Sequence, residues 1–289
     1  MTQAPTRPTD GDDSEPHGVP DGIPLGGAPA AVTLFPRWSR MPWPLELLTL
    51  LVGDVGYELI RALAPQQKSA AFRNAGRLLG LEPGWLRGLE LWLDHLVNDH
   101  RTLALICGYY YTGLHLSVTA GVLVWLWWRR PQSYARARTV LFAVTFGALV
   151  VFWVFPVAPP RLAVPGAIDT IGITLAGHAA AIASSGAGTG GDGLVNPYAA
   201  FPSLHVAWAA WCAWAVRGHL PERYRRLAWG YPAATVLVVI GTANHYVLDV
   251  LAGLLALALA VLLIDPDART RPATPGRTRR PDLTGRCRN

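Results

Sequence analysis

Long apolar segments constrain the fold of this chain more than any other feature of its sequence. The residues are 51% hydrophobic and only 15% charged, and the mean hydropathy is +0.26. The apolar residues are grouped into runs of about twenty, which is the length that an α-helix needs to cross a bilayer. A soluble domain of this size is less apolar. We therefore expect an all-α, polytopic membrane protein.

Six apolar runs predict a six-helix transmembrane bundle. Their approximate bounds are 44–63, 102–128, 136–155, 200–217, 227–243 and 246–264. The fourth run opens with Pro202, a residue that suits the first turn of a helix. Residues 66–100, between the first two runs, mix apolar side chains with charges of both signs. We expect this amphipathic segment to form one or two helices on the membrane surface or against the bundle.

The two ends of the chain differ in composition from the bundle. Residues 1–36 are rich in Pro, Gly and Asp, and residues 265–289 are basic. Both are predicted to be disordered tails of one domain, residues 37–264. The first tail lacks the basic start and apolar core of a secretory signal. A glycine-rich segment, 184–193, is interpreted either as a mobile lid or as a plain linker.

Arginine-rich loops predict the orientation of the bundle. Arginines follow the second and fourth runs and recur in the tail: Arg129, Arg130, Arg136, Arg138, Arg217, Arg223, Arg225, Arg226 and those within 269–288. Because positive loops favour the cytoplasmic side, both termini are expected there. Loops 156–200 and 243–246 are then expected outside the cytoplasm. The composition, poor in Lys and rich in Ala, Gly and Pro, indicates a bacterial plasma-membrane protein.

Several classes of function are excluded by the distribution of charge and cysteine. The net charge of +6 comes from arginines in short loops between apolar runs, which does not indicate nucleic-acid binding. Cys107, Cys212 and Cys287 are spaced neither as a disulfide framework nor as a metal site. We therefore expect no metal, no cofactor and no nucleic-acid partner.

The segment His245-Tyr246-Val247-Leu248-Asp249 places an imidazole and a carboxylate at the start of the last run. Residues four apart share one face of a helix. The Asp249 carboxylate can then accept the Nδ1 hydrogen of His245 and leave the other ring nitrogen free to attack. The alternatives are a structural hydrogen bond or a pair of metal ligands, although no third ligand stands nearby.

Three more residues extend this pattern. Ser203 and His205 open the fourth run, where free helical N–H groups attract anions and the histidine can give a proton to a departing alkoxide. Arg161 follows the third run and can bind a phosphate through its planar fork. The structural alternatives are an N-cap serine, a core histidine and an interface arginine. Because these residues are all predicted on the extracytoplasmic side of the membrane, we expect a joint role in phosphoryl transfer.

Together these segments resemble the three signatures of the type 2 phosphatidic acid phosphatase superfamily. The segments Pro159-Pro160-Arg161, Pro202-Ser203-Leu204-His205 and His245-Tyr246-Val247-Leu248-Asp249 are most similar to its inositol phosphorylceramide synthase branch, the aureobasidin-resistance type of inositolphosphotransferase. The resemblance covers about residues 45–264. It implies a membrane enzyme that acts on a phospholipid, or on a polyprenyl- or sphingolipid-type phosphate, and needs no obligate protein partner.

The resemblance also implies a role for each matching residue. His245 would form a phosphohistidine intermediate, and Asp249 would orient this histidine and balance its charge. His205 would protonate the leaving group and later activate the acceptor. Arg161 and Ser203 would hold the phosphoryl oxygens. Catalysis would then depend on positioning and charge stabilisation, without a metal ion.

The chain departs from the superfamily pattern at positions that normally carry cations. Val154 stands where the first signature has a lysine, and Val239 stands where the third has an arginine; Leu162 replaces a proline after the signature arginine. Fewer cations favour phosphodiester substrates, as in the transferase branch. Candidates that compensate are Asn244, Tyr110, Tyr111, His115, Arg73 and Arg77. The competing interpretation is a non-catalytic lipid-binding or transport protein.

Overall fold

The computed structural model describes residues 42–63, 67–174 and 198–264, which belong to one compact unit within Arg40–Asn289. The predicted tails, 1–36 and 265–289, lie outside the described residues. The glycine-rich segment 184–193 and Cys287 also lie outside them.

The described chain is built from helices. They are α1 (Trp43–Leu63), α2 (Lys68–Leu81), α3 (Gly84–Asn98), α4 (Arg101–Tyr109), α5 (His115–Arg129), α6 (Pro131–Val154), α7 (Pro160–Ala163), α8 (Leu204–Arg217), α9 (Glu222–Arg225), α10 (Gly230–Gly241) and α11 (Val247–Ile264). A π-helical turn, Tyr110–Leu114, joins α4 to α5, and a 3₁₀ turn, Leu227–Trp229, precedes α10. Within the described residues no β-strand forms, and an isolated parallel bridge pairs Val157 with Ala199. The prediction of an all-α fold is confirmed to this extent.

Two of the described helices, α6 and α11, are long and apolar enough to cross a membrane. The six predicted runs all contain helices, but α8 has 14 residues and α10 has 12. A helix of that length is shorter than the roughly 20 residues that span a bilayer. The second run is helical throughout but changes to π-helical geometry at Tyr110–Leu114. The count of six spans therefore stays a prediction.

The structure corrects several helix boundaries. Pro202 is not in the first turn of α8, because the helix begins at Leu204 and Ser203 is its N-cap. Helix α6 begins at Pro131, so Arg136 and Arg138 lie in its first turns rather than in a loop. The amphipathic segment forms two helices, α2 and α3.

Helix α8 lies at the centre of the bundle, where it packs against α5, α6, α10 and α11. Trp211 is fully buried there, and its indole N–H donates to the Ala137 carbonyl at 2.8 Å. One turn earlier, the Trp208 indole donates to the Thr145 hydroxyl at 2.9 Å. Both bonds join α8 to α6 and satisfy indole N–H groups away from water.

Helix α11 approaches the start of α8 unusually closely at Gly253. The Ser203 N–H donates to the Asp249 carbonyl at 3.0 Å, one turn before this glycine. A Cβ at position 253 would lie 2.4 Å from the Ser203 carbonyl oxygen. The absence of a side chain at Gly253 therefore allows the two segments to touch backbone to backbone.

We expect Gly253→Ala to destabilise the protein, because the added methyl group must push the Ser203 turn away from α11. Overpacking of this kind typically costs about 1–3 kcal/mol. The thermal midpoint in detergent should fall accordingly. Gly121→Ala is the matched control, because a Cβ there meets no atom within 4 Å. A Gly253→Ala midpoint equal to that of the control would contradict the close contact.

Candidate active site

Three segments that are distant in sequence meet at one end of the bundle. The Arg161 N–H donates to the Ala243 carbonyl at 2.8 Å, and the Tyr246 hydroxyl donates to the Ala158 carbonyl at 3.0 Å. The Ser203 N–H bond to Asp249 adds the third segment. Backbone hydrogen bonds thus connect all three of the segments that the sequence singled out.

His245 and Asp249 form a buried pair. The Nδ1 atom of His245 lies 3.3 Å from Asp249 Oδ2, and the exposed fractions of the two residues are 5% and 0%. The same carboxylate oxygen accepts the Tyr246 N–H at 3.0 Å. The predicted pair is present, but His245 precedes α11, which begins at Val247. A turn before the helix, not two turns of one helix, brings the pair together.

The second ring nitrogen of His245 is buried without a hydrogen-bond partner in the described part of the chain. With Nδ1 directed at the carboxylate, a ring in the Nδ1–H tautomer leaves a lone pair on Nε2. An unpaired buried acceptor is uncommon and calls for an explanation in terms of chemistry. The arrangement is that of a nucleophile held by an orienting partner.

His205 lies beside this pair. Its ring centroid is 5.8 Å from that of His245. Two rings from the π-helical junction contact His205: Tyr111 is stacked at 4.1 Å, and His115 is tilted at 4.2 Å. These contacts restrict the orientation of the His205 imidazole. A π-helical turn is rare in helices and is frequent at functional sites.

Arg161 reaches the same region through Asn244. Its guanidinium donates to the Asn244 side-chain oxygen, and its Nε lies 3.4 Å from Asp169 Oδ1. The Asn244 amide nitrogen donates in turn to the Thr242 hydroxyl at 2.8 Å. The guanidinium is thereby held beside Asn244, the residue before His245, where its remaining donors can bind an anion.

Ser203 is fully buried at the N-cap of α8. Its hydroxyl oxygen accepts the Val206 N–H at 3.5 Å, a long and weak cap. Ser203 is therefore the N-cap serine that was the structural alternative. Because this cap is weak, the hydroxyl stays available to an incoming anion at the helix start.

The candidates that could replace the missing cations have different surroundings. Tyr111 and His115 contact His205, and Asn244 contacts Arg161, as described above. The Tyr110 hydroxyl instead bonds to Thr235 at 2.7 Å. Arg73 and Arg77 are exposed on α2, and Arg77 donates to the Asn74 side chain at 3.2 Å.

Helices α2 and α3 hold the segments of the site from outside the bundle. The Asn74 amide donates to the Pro156 carbonyl at 2.9 Å. Glu82 accepts the Leu248 N–H at 3.2 Å, and Glu90 accepts the Val247 N–H at 2.7 Å. These two carboxylates cap the first turn of α11, which carries Asp249, and negative charge at a helix start is favourable.

Helix α3 also holds the loop that follows Arg161. The Asp94 carboxylate accepts the Ile168 N–H at 2.8 Å, and a ring nitrogen of His95 lies 2.8 Å from the Gly166 carbonyl oxygen. Burial raises the pKa of Asp94, and the bond from Ile168 acts in the opposite direction. One helix thus supports two of the segments at the site.

Sequence reasoning missed the roles of Glu82, Glu90 and Asp94. A surface helix usually buries its apolar face, but α3 buries Glu90 and Asp94 and exposes Trp85 and Trp92. The alternation of the two faces is visible in the sequence. The inward face supplies acceptors to N–H groups of the neighbouring segments, which need them.

The geometry above agrees with a comparison against protein families. A model of the PAP2 superfamily matches residues 76–263, which include all three segments of the site. The chain belongs to the PAP2 superfamily. Superfamily members are phosphatases or phosphotransferases that act on phosphorylated, lipid-type substrates. The chain is therefore a phosphoryl-transfer enzyme in general class. Comparisons with curated proteins and with solved structures found no match.

The side chains at this PAP2 site are histidine, carboxylate, serine and arginine. Among the residues that the structure describes, no three His, Cys, Asp or Glu side chains are grouped so that they could hold a metal ion. The donor set suits an anionic substrate: it combines a cation, a hydroxyl and two imidazoles.

The stability of the PAP2 site should depend on the protonation of Glu90. Burial raises its pKa from 4.5 to about 7; the Val247 N–H and Arg87 oppose this rise, while Glu82 and Asp249 add to it. Between pH 4.5 and about pH 7, Glu90 keeps a proton in the folded state that it releases in the unfolded state. The free energy of unfolding therefore falls as pH rises.

Glu90→Gln keeps an acceptor oxygen for Val247 but does not titrate. From about pH 5 to about pH 8, the difference in thermal midpoint should therefore move in favour of the variant. Asp99→Asn, at an exposed carboxylate just after α3, is the control and should show no such trend. A pH-independent difference for Glu90→Gln would contradict the raised pKa.

Proposed function

We propose that this protein is an integral-membrane lipid phosphatase or phosphotransferase that works through a phosphohistidine at His245, at the extracytoplasmic face. The observation that carries the proposal is the buried His245 ring, with Nδ1 at the Asp249 carboxylate and Nε2 without a partner in the described chain. Neither a structural hydrogen bond nor a capping role accounts for that free nitrogen.

The first half-reaction forms a bond between Nε2 of His245 and the phosphorus atom of the substrate. The bond from phosphorus to the leaving oxygen breaks, and His205 donates a proton to that oxygen. Asp249 stabilises the positive charge on the His245 ring. Arg161 and Ser203 bind the phosphoryl oxygens as negative charge develops on them.

The second half-reaction returns the enzyme to its starting state. His205, now neutral, accepts a proton from water or an alcohol, whose oxygen attacks phosphorus. The bond from phosphorus to His245 breaks, and the phosphorylated product leaves. Water as the acceptor gives a phosphatase, whereas an alcohol gives a phosphotransferase.

We favour an inositolphosphotransferase within this class. Among the described residues, Arg161 is the arginine that contacts the turn before His245. Its guanidinium also binds the side chains of Asn244 and Asp169. A site with few cations suits a phosphodiester, which carries one negative charge, better than a monoester, which carries up to two. Inositol lipids that transfer a phosphoinositol group are such diesters.

The membrane arrangement that we propose has six spans with both termini in the cytoplasm. It is supported by α6 and α11, which are long and apolar enough to cross a bilayer, and by the arginine-rich loops. The exposed tryptophans of α3, Trp85 and Trp92, would then lie at the outer interface. We expect fusions of a periplasm-active reporter to be active after residue 165 and inactive after residue 220; the opposite pattern would refute this orientation.

The central test measures phosphoryl transfer by purified protein in detergent. We expect wild-type protein to release or transfer the head group of lipid phosphates and phosphoinositides. His245→Ala should lose activity to background, and His205→Ala should lose about 10²- to 10⁴-fold, as is usual for a general acid. His219→Ala, a histidine beside Trp125 beyond the end of α8, is the control and should keep its activity.

Two readouts distinguish the mechanism and the acceptor. Acid-labile, base-stable phosphate on wild-type protein but not on His245→Ala would identify the phosphohistidine. Phosphatidylinositol with ceramide or diacylglycerol as the acceptor should yield a new phosphodiester if the enzyme is a transferase. Equal activity in the wild type and His245→Ala would refute the catalytic proposal, and hydrolysis without a new diester would leave a phosphatase.

A further inference from the structure

A cavity of about 540 Å³ lies between α1, α5, α6 and α8, beside the candidate active site. Its volume falls within the range of roughly 300–1,000 Å³ that is typical of small-molecule sites. Most of the side chains that line it are apolar, including Leu50, Leu116, Ala120, Leu123 and Phe142. The catalytic steps proposed above do not use this cavity.

The cavity is long and runs parallel to the helices. Its lining residues on α6 extend from Tyr134 to Phe146, and those on α5 extend from Leu116 to Trp127. At 1.5 Å per residue, these stretches correspond to about 18 Å and about 16 Å. That length is more than half of the roughly 30 Å hydrocarbon core of a bilayer.

One end of the cavity adjoins the site. Trp208, which lines the cavity, follows His205 by three residues on α8. Its ring centroid is 5.8 Å from that of His115, and His115 is 4.2 Å from His205. The lining stops at Leu116, the residue after His115, and at Trp208, so this end of the cavity lies next to the histidines.

The other end is lined by Glu46 and Tyr134, which bind each other. Glu46 accepts a hydrogen bond from the Tyr134 hydroxyl at 2.6 Å and also pairs with Arg138. This buried ion pair joins α1 to α6. It limits how far an occupant can extend from the site.

Between the two ends, most polar side chains of the wall form hydrogen bonds within their own helices. The Thr119 hydroxyl donates to the His115 carbonyl at 2.7 Å, and the Thr145 hydroxyl donates to the Leu141 carbonyl at 2.7 Å. Asp54 lines the cavity as an exposed carboxylate. Apart from Asp54, the wall is apolar or satisfies its own hydrogen bonds, which favours a hydrocarbon occupant.

We propose that this cavity binds one hydrocarbon chain of the substrate lipid, with the phosphoryl group at His205 and His245 and the chain end near Glu46. This proposal rests on the proposed function and adds to it where one hydrocarbon chain of the lipid lies and how long that chain can be. The Glu46–Arg138 pair sets the maximum chain length that fits.

The test places a bulky side chain at Val124, which lies about 12 Å along α5 from Leu116 at the site end of the cavity. Val124 lines the cavity and is exposed, so Val124→Trp narrows the cavity without crowding a buried core. Ser117→Phe is the matched control, because Ser117 is exposed on the same helix but does not line the cavity. The substrates are lysophosphatidylinositols, which are phosphodiesters, with single chains of eight or sixteen carbons.

We expect Val124→Trp to lower kcat/KM for the sixteen-carbon substrate by about 100-fold, because several methylenes lose their burial. The eight-carbon substrate should be affected less than about threefold, and Ser117→Phe should spare both. An equal loss on both chain lengths, or an equal effect of the two variants, would overturn the proposal.

A binding readout keeps this test separate from the test of catalysis. A hexadecyl phosphate with a diazirine at its chain end is cross-linked to full-length His245→Ala protein, and the labelled peptides are mapped. Label on the α6 and α1 residues near Glu46, lost in Val124→Trp, is the expected result even if no turnover occurs. Label spread over exposed faces such as Leu251 and Leu255, or displaced equally by phosphatidylcholine, would show bulk lipid and overturn the proposal.

Discussion

The hydrogen bond from the Ser203 N–H to the Asp249 carbonyl is the contact on which the candidate site depends. It fixes the start of α8 against the first turn of α11, and Gly253 permits the backbones to come this close. His205 and His245 extend from these two segments, so their separation follows from this contact. Arg161 is added through the Ala243 carbonyl and the Asn244 side chain. The site is thus assembled by backbone contacts between segment ends.

A second constraint comes from α2 and α3, which turn acidic side chains toward the site. Glu82 and Glu90 accept the first N–H groups of α11, and Asp94 accepts an N–H of the loop after Arg161. Such buried carboxylates are costly to ionise, and burial raises the pKa of all three. Their hydrogen bonds to backbone N–H groups offset part of that cost. The result is a set of fixed contacts around the proposed nucleophile, His245, next to an apolar cavity.

Much of this site could be predicted because its residues lie in compact local patterns. The spacing of His245 and Asp249 predicted a pair, and the pair exists, although His245 precedes the helix that the spacing assumed. The shared side of Arg161, His205 and His245 was predicted from the distribution of arginines among the loops. Glu82 and Glu90 could not be found in this way, because their carboxylates accept hydrogen bonds from N–H groups more than 150 residues away. A pattern of local periodicity contains no information about such partners.

The sequence by itself determined that the chain is helical and apolar, and it identified the candidate side chains for the chemistry, because both are properties of residue type and short spacing. The tertiary structure alone decided which face of α3 is buried, where the free nitrogen of His245 lies, and that a long cavity adjoins His205 through Trp208 and His115. These features arise where separate helices pack together. Hydrogen-bond satisfaction and close packing between distant segments set them, and neither is encoded in any one segment.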